Sequence, residues 1–545
     1  MAKNNKVVLA RAIDPSLSRR SFLKGALGAA VAAAGAGALA GCGGGGTDAG
    51  SAASGDTTTI RFGVANPKAS FDTQTTSNSW GASENICATL VELDPETKEL
   101  KPLLLTDLPT VSDDGLTYTF ELKDGITFHD GSALTATDVQ YTLTRVLAKQ
   151  AEADGYDKIK GGAAVVDGSA TELEGFSITD DTHFTIELAE PFSAFPYYLA
   201  QFYASIYPHE ACEAAGDDWG NGTNFIGCGP YKLESNDENT EVVLKAFDNY
   251  VEGKPAIDTV EVHYIDDGNT RMMNYKNGDI DLCFLDTSLL DQYKSDDEVK
   301  DQIVYYTPAA TQFLNINLND DTFKDVRVRQ AISLAINRQE LCDTILSGAA
   351  KPCSGFIPDS ETGFDEANKD NPLEYDPEKA KSLLEEAGAT SLSITAQVRS
   401  QDQNVMVAIQ NYLQQVGITV DVQVIDAGKW REDRKNGTLV MTLVTWSTLS
   451  FVGIEHMGSY FRSDKANQKS SFYNSPDFDA YMDAARAATD EAAQVENTVK
   501  ADNQLVRTDF GTIPVDWPQN PYVLRAGYEG LEVLVDPHFK HVTAA

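Results

Sequence analysis

Asp114-Gly-Leu-Thr-Tyr-Thr-Phe-Glu-Leu-Lys-Asp-Gly-Ile-Thr-Phe-His-Asp-Gly131 is the stretch whose reading decides the fold. Asp113-Asp114-Gly115 and Lys123-Asp124-Gly125 read as turns, because glycine accepts the positive φ a tight reversal needs. Between them Leu116 to Leu122 alternates apolar and polar, the period of a half-buried strand. Ile126-Thr127-Phe128 reads as the start of a returning strand, and Phe128-His129-Asp130-Gly131 as a turn. In Leu134-Thr-Ala-Thr-Asp-Val139, Thr135 can cap a helix. Asp138 sits where the helix dipole favours an acid. That helix is expected to run through Arg145.

Outward from this block, strands and helices mix throughout. Thr58 to Ala65 reads as an opening strand, and Trp80 to Leu93 as a helix. Val242 to Phe247, Val260 to Ile265, Phe313 to Leu318 and Ile418 to Val424 read as strands. Thr270 to Lys276, Val326 to Leu346, Glu378 to Glu386 and Val405 to Val416 read as helices, each followed by Gly within two residues. Phe478 to Ala488 and Ala492 to Val506 are further helices. No period of repeat length appears, and the mixture points to α/β or α+β lobes. A chain of 545 residues exceeds one ordinary core, so two or three lobes are expected.

The N-terminal segment reads as an address. Arg19-Arg20 precedes an uncharged run from Gly25 to Ala40 and then Leu39-Ala40-Gly41-Cys42. A basic start, a short apolar core and small residues before a cut site describe an export signal. The arginine pair resembles a twin-arginine signal. The Leu-Ala-Gly-Cys run resembles a bacterial lipobox, which would make Cys42 the lipidated first residue. Gly43 to Asp56 is a flexible tether. Net charge is −39, from 43 basic and 82 acidic residues, which repels phosphate backbones and argues against nucleic acid.

No catalytic pattern emerges. The seven histidines form no H-x-x-x-H or H-E-x-x-H, and there is no G-x-S-x-G, P-loop or EF-hand spacing. No metal site and no cofactor is expected. Beyond Cys42, six cysteines remain, and an exported chain permits disulfides. Cys212/Cys228 and Cys342/Cys353 are close enough in sequence to close short loops and are the first candidates. Spacing alone leaves other pairings open.

The ordered landmarks resemble a known family. The block from Asp114 to Val139 is followed by Gly227-Cys-Gly-Pro-Tyr231, Asn249-Tyr250, Gly253-Lys-Pro255, Asn269-Thr-Arg271 and Gly278-Asp-Ile-Asp281. Asp325-Val-Arg-Val-Arg-Gln-Ala-Ile332, Ala335-Ile-Asn-Arg338, Tyr375-Asp-Pro377 and Tyr473-Asn-Ser-Pro-Asp-Phe-Asp479 complete the series. In this order they resemble the extracellular solute-binding proteins of the peptide/nickel class of ABC importers. The resemblance implies a two-lobed α/β fold like that of periplasmic binding proteins, with an extra domain inserted in lobe I. The expected plan is a signal peptide at 1–41, a tether at 42–57, lobe I at 58–92, the inserted domain at 93–222, lobe I again at 223–311, lobe II at 312–510, and a last part of lobe I at 511–545. It implies a monomeric, lipid-anchored extracytoplasmic receptor that encloses a small peptide or similar organic solute and hands it to permease subunits.

The resemblance also implies site residues. Peptide-binding relatives carry a Trp soon followed by an Asp that holds the peptide's amino terminus. Here Trp446 fits, with Ser447 and Thr448 beside it, but the Asp position holds Leu449, so the usual ammonium partner is missing. Asp426 or Glu455 could substitute. Arg434 sits where such relatives place an arginine near the ligand's carboxylate, and a second arginine looks replaced by Leu443. Asn78, Ser79 and Trp80, ahead of the first helix, and Tyr203 beside Phe202 are further contact candidates. Trp430 and Trp517 read equally as core. Nickel or metal-chelate capture on the same fold, an exported enzyme, and a surface sensor are the alternatives to solute import.

Overall fold

The computed structural model describes residues 59–75, 82–95, 97–149, 155–488 and 490–544. Two large mixed sheets dominate. The first has seven strands in the order Ile303–Tyr306, Asn520–Leu524, Leu282–Phe284, Thr59–Val64, Thr259–Tyr264, Glu241–Ala246, Tyr231–Asp237. The second has six, in the order Ala350–Pro352, Ile513–Pro518, Ala310–Ile316, Met441–Ser447, Ser393–Val398, Thr419–Val424. Each sheet is the spine of one lobe. The chain crosses between them twice, at 307–309 and at Gln519. The sequence reading ended lobe II at residue 510. Ile513–Pro518 instead pairs with Ala310–Ile316 and Ala350–Pro352 in the second sheet, so the return falls at Gln519.

A four-stranded sheet lies within the chain between the first two strands of the first sheet: Thr110–Val111, Thr117–Glu121, His183–Glu187, Phe176–Ile178. The opening block therefore does form a strand, but its partner is not Ile126-Thr127-Phe128. Thr117–Glu121 pairs antiparallel with His183–Glu187, where the Phe120 and Phe184 rings stack 4.9 Å apart. That aromatic pair outweighs the nearer candidate, whose only ladder contact is a bridge from Thr127 to Ala133. The expected turn at Phe128–Gly131 is present: Gly131 has φ 91° and its N–H donates to Phe128 O at 3.0 Å. The helix after it spans Ala136–Lys149, and the Asp138 carboxylate accepts from Thr135 N at 2.9 Å.

Two other sequence blocks lock together here. His129 N donates to Gly227 O at 2.9 Å, and His129 Nε2 lies 3.0 Å from Gly229 O. Gly229 N in turn donates to Ile86 O at 2.9 Å. A Cβ at Gly227 would stand 2.1 Å from Ile86 O, so only glycine fits there. This approach also explains why the first helix is short. The expected helix to Leu93 stops at Ile86 because that carbonyl is taken by Gly229, and Val91–Leu93 becomes a strand. A second expected helix, Val326 to Leu346, is broken after Ala335. The Arg338 guanidinium folds back onto the carbonyls of Ser333 and Pro514, and the Asn337 side chain caps a new turn at Glu340 N.

A buried ion pair ties the loop after Thr59–Val64 to the helix Ala136–Lys149. Arg145 Nη2 meets Asp72 Oδ2 at 2.7 Å, with 10% and 3% of the two side chains exposed. Tyr207 Oη donates to the same carboxylate at 3.2 Å. The six cysteines among the described residues are all free, buried thiols, so neither expected bridge is present. Cys212 turns toward the Tyr141 hydroxyl, Cys228 toward the backbone at Ala88, and Cys353 toward the Arg338 guanidinium. Closeness in sequence did not bring the sulfurs into bonding geometry.

Candidate functional site

Strand Met441–Ser447 delivers Trp446 to the edge of the second lobe. Several contacts fix its ring. Its Nε1–H donates to Ser459 Oγ at 2.9 Å, and Tyr460 packs edge-on at 5.1 Å. The Lys469 ammonium sits 4.2 Å and the Arg434 guanidinium 5.5 Å from the ring centroid. Both are within cation–π range. Its carbonyl is held too: His456 Nε2 lies 2.9 Å from Trp446 O, while His456 Nδ1 is 2.7 Å from Glu361 Oε1, with both side chains wholly buried. Thr448 N donates to Ala309 O at 3.0 Å, which ties this loop to the first crossing between the lobes.

Trp446, Ser447, Thr448 and Leu449 line an open pocket of about 420 Å3, and Tyr203, Tyr198 and Phe192 line it too. Four of the residues singled out from sequence, Tyr203, Trp446, Ser447 and Thr448, therefore share one pocket. Arg434 stands behind it, against the Trp446 ring and 4.9 Å from the Trp430 ring. Cys42, Asn78, Ser79 and Trp80 lie outside the described residues.

Charged groups gather in the same pocket, Lys158 and Glu190 with Glu455, Arg462, Lys465 and Arg486; of these the sequence singles out only Glu455. Lys158 pairs with Glu190 at 2.6 Å, and Arg462 with Asp483 at 2.5 Å. Glu455 is clasped by Arg486. Burial works against the Arg486 charge, but Glu455 outweighs it and holds the guanidinium above its ordinary pKa. In so acidic a chain nothing in the sequence marks these pairs, since Glu455 and Arg486 stand on different helices.

Both substitutes considered for the missing Asp are committed elsewhere. Asp426 caps the helix Ala427–Lys435, accepting from Gly428 N at 2.8 Å. Leu443 does not face the pocket; it is 0% exposed in the core of the second sheet. Leu449 does face it, and it also lines a second cavity of about 100 Å3 with Leu103, Phe202, Phe451 and Leu534. Gln201 is common to both spaces, so they adjoin. Trp430 and Trp517 are core residues, 4% and 3% exposed.

Two lobes joined by two crossings, with an aromatic and mixed-charge pocket beside them, form the architecture of a two-lobed periplasmic-binding-protein-like fold. The chain belongs to the bacterial extracellular solute-binding proteins, family 5, which it matches over residues 99–468. Among curated relatives, the glutathione-binding protein GsiB of Escherichia coli O1:K1 / APEC is 29% identical over 472 residues, covering 83% of this chain and 85% of that protein. Among solved structures, the unliganded open form of the murein tripeptide-binding protein MppA is 20% identical with a TM-score of 0.78, covering 90% of this chain and 98% of that one. The Helicobacter pylori protein DppA in complex with peptide STSA is 23% identical with a TM-score of 0.69, covering 89% and 98%. The last two share the two-lobed fold with this chain.

Proposed function

We propose that this chain is the receptor of an ABC importer, tethered outside the membrane through Cys42, that captures an oligopeptide or similar-sized solute and delivers it to permease subunits. One observation carries the reading: Tyr203 of the inserted segment and Trp446 to Thr448 of lobe II face a common pocket next to the crossings. A solute lying there touches half-sites from different parts of the molecule. It therefore binds the closed arrangement better than the open one and shifts the equilibrium toward closure by that difference. Aromatic faces supply contact without demanding one sequence, and the paired charges around the pocket suit the polar backbone of a short peptide. The printed names of the relatives, glutathione-binding and murein tripeptide-binding, agree with a solute of this size.

Titration calorimetry with triglycine, glutathione and tetraalanine tests this. Saturable one-to-one binding of at least one of them supports the reading. Heat-silent titrations with all three, confirmed by unchanged thermal unfolding, contradict it.

A further inference from the structure

Glu84 stands on the short helix Ala82–Ile86 with 8% of its side chain exposed. One oxygen, Oε2, lies 2.6 Å from His538 Nε2. The other, Oε1, is buried and has no hydrogen-bond partner. A buried carboxylate oxygen left unmet is unfavourable unless something arrives to donate to it. Glu84 lines the cavity of about 100 Å3 described above. The other charged groups on that wall are already matched. Lys540 pairs with Glu92 and Glu252, and Glu532 accepts from His541 Nδ1 at 2.8 Å. Among the described residues lining the cavity, Glu84 Oε1 is the charged acceptor left open. The opposite walls are apolar, from Leu103, Phe202, Leu449 and Phe451.

We propose that Glu84 receives the solute's ammonium group, and that this cavity is the end pocket of the binding cleft. The chemistry is specific. The acceptor is anionic and buried, so it selects a cationic N–H donor over a neutral one. The space holds a group of only a few heavy atoms. The apolar walls cover the carbon that bears the nitrogen. Leu449 cannot pair a charge, and Glu455 and Asp426 are occupied, so Glu84 on the facing lobe takes the role the loop after Trp446 leaves vacant. This assignment rests on the peptide reading given above.

The test uses the full chain and a synthetic tripeptide mixture, offered with free or N-acetylated amino termini, with bound mass read by native mass spectrometry. The wild-type chain is expected to prefer the free-amine mixture by about tenfold or more, the strength of a charge-assisted hydrogen bond. Glu84→Gln, which keeps an acceptor for His538, should remove that preference. The double variant Glu84→Gln/Leu449→Asp should restore it from the opposite wall, which separates lost recognition from a misfolded chain. Free-amine preference that survives in Glu84→Gln overturns the assignment, as does equal binding of both mixtures by the wild type. Binding of neither mixture overturns the peptide reading itself.

Discussion

Arg486 holds Glu455 through two parallel bonds, Nε to Oε1 at 2.8 Å and Nη2 to Oε2 at 2.7 Å. The pair closes one wall of the pocket and joins the helices Gly453–Phe461 and Pro476–Arg486. Arg486 also uses its carbonyl to accept from Ser193 N at 3.0 Å, so it reaches the stretch around Phe192 as well. Removing the guanidinium leaves a carboxylate with 9% of its side chain exposed and no counter-charge. Arg486→Gln should therefore lower unfolding stability by about 2 kcal/mol, discounted for the partly open arginine. Urea unfolding at neutral pH measures this.

Arg145 and Asp72 make a more deeply buried pair, and a double-mutant cycle can isolate it. Arg145→Leu alone should cost roughly 3 kcal/mol, because it strands Asp72 in the interior. Asp72→Asn combined with Arg145→Leu should cost less than the sum of the single changes, since each removes the same interaction. Additive losses would show that the pair contributes no coupling.

Two buried groups should shift stability with pH in opposite directions over overlapping ranges. Burial pushes the His129 imidazole down to about 4, from 6.5. The folded state thus favours the neutral ring, a contribution present above pH 6.5 and lost as pH falls toward about 4. His129→Gln, which can still donate to Gly229 O, should flatten that acid limb by up to roughly 3 kcal/mol. Burial pushes the Asp516 carboxyl the other way, from 3.8 up to about 8. Its contribution is complete below pH 3.8 and lost as pH rises through about 8, so Asp516→Asn should make the chain more stable on the alkaline side. Urea midpoints across this range measure both slopes.

The cysteines give a chemical check. The described chain holds Cys87, Cys212, Cys228, Cys283, Cys342 and Cys353 as separate thiols. Burial pushes Cys228 and Cys353 up to about 12, which keeps them protonated and unreactive in the folded protein. Thiol titration without reductant should find these six unreactive in the native chain and all reactive after unfolding. Fewer reactive thiols in the unfolded chain would reveal a disulfide.

What the sequence disclosed and what it withheld follow from the range of the forces involved. Alternation from Leu116 to Leu122 and the capped helix after Thr135 are local, and both were legible. The partner of that strand was not, because Phe184 lies far along the chain and only tertiary packing of Phe120 selects it. The break in the helix after Ala335 was hidden for the same reason. Arg338 is an ordinary helix former until Pro514 O arrives to take its guanidinium. At the site, Trp446 and its neighbours could be read from an ordered series of motifs. Glu84 could not, since its meaning depends on His538 and a cavity assembled from stretches far apart in the chain.

Trp446 should dominate solute affinity. Trp446→Ala removes an aromatic surface held between Lys469 and Tyr460, and should weaken binding at least about tenfold. Trp446→Phe keeps the ring but loses the bond to Ser459 and should fall between. Calorimetric titration of both variants with the same peptide ranks them.

The most direct test of solute capture is native mass spectrometry of the protein purified from its own host, beside the Trp446→Ala variant. The account predicts a co-purified organic solute with the mass of a short peptide, bound one to one and depleted in the variant. An empty wild-type protein, or a solute retained equally by Trp446→Ala, would contradict it.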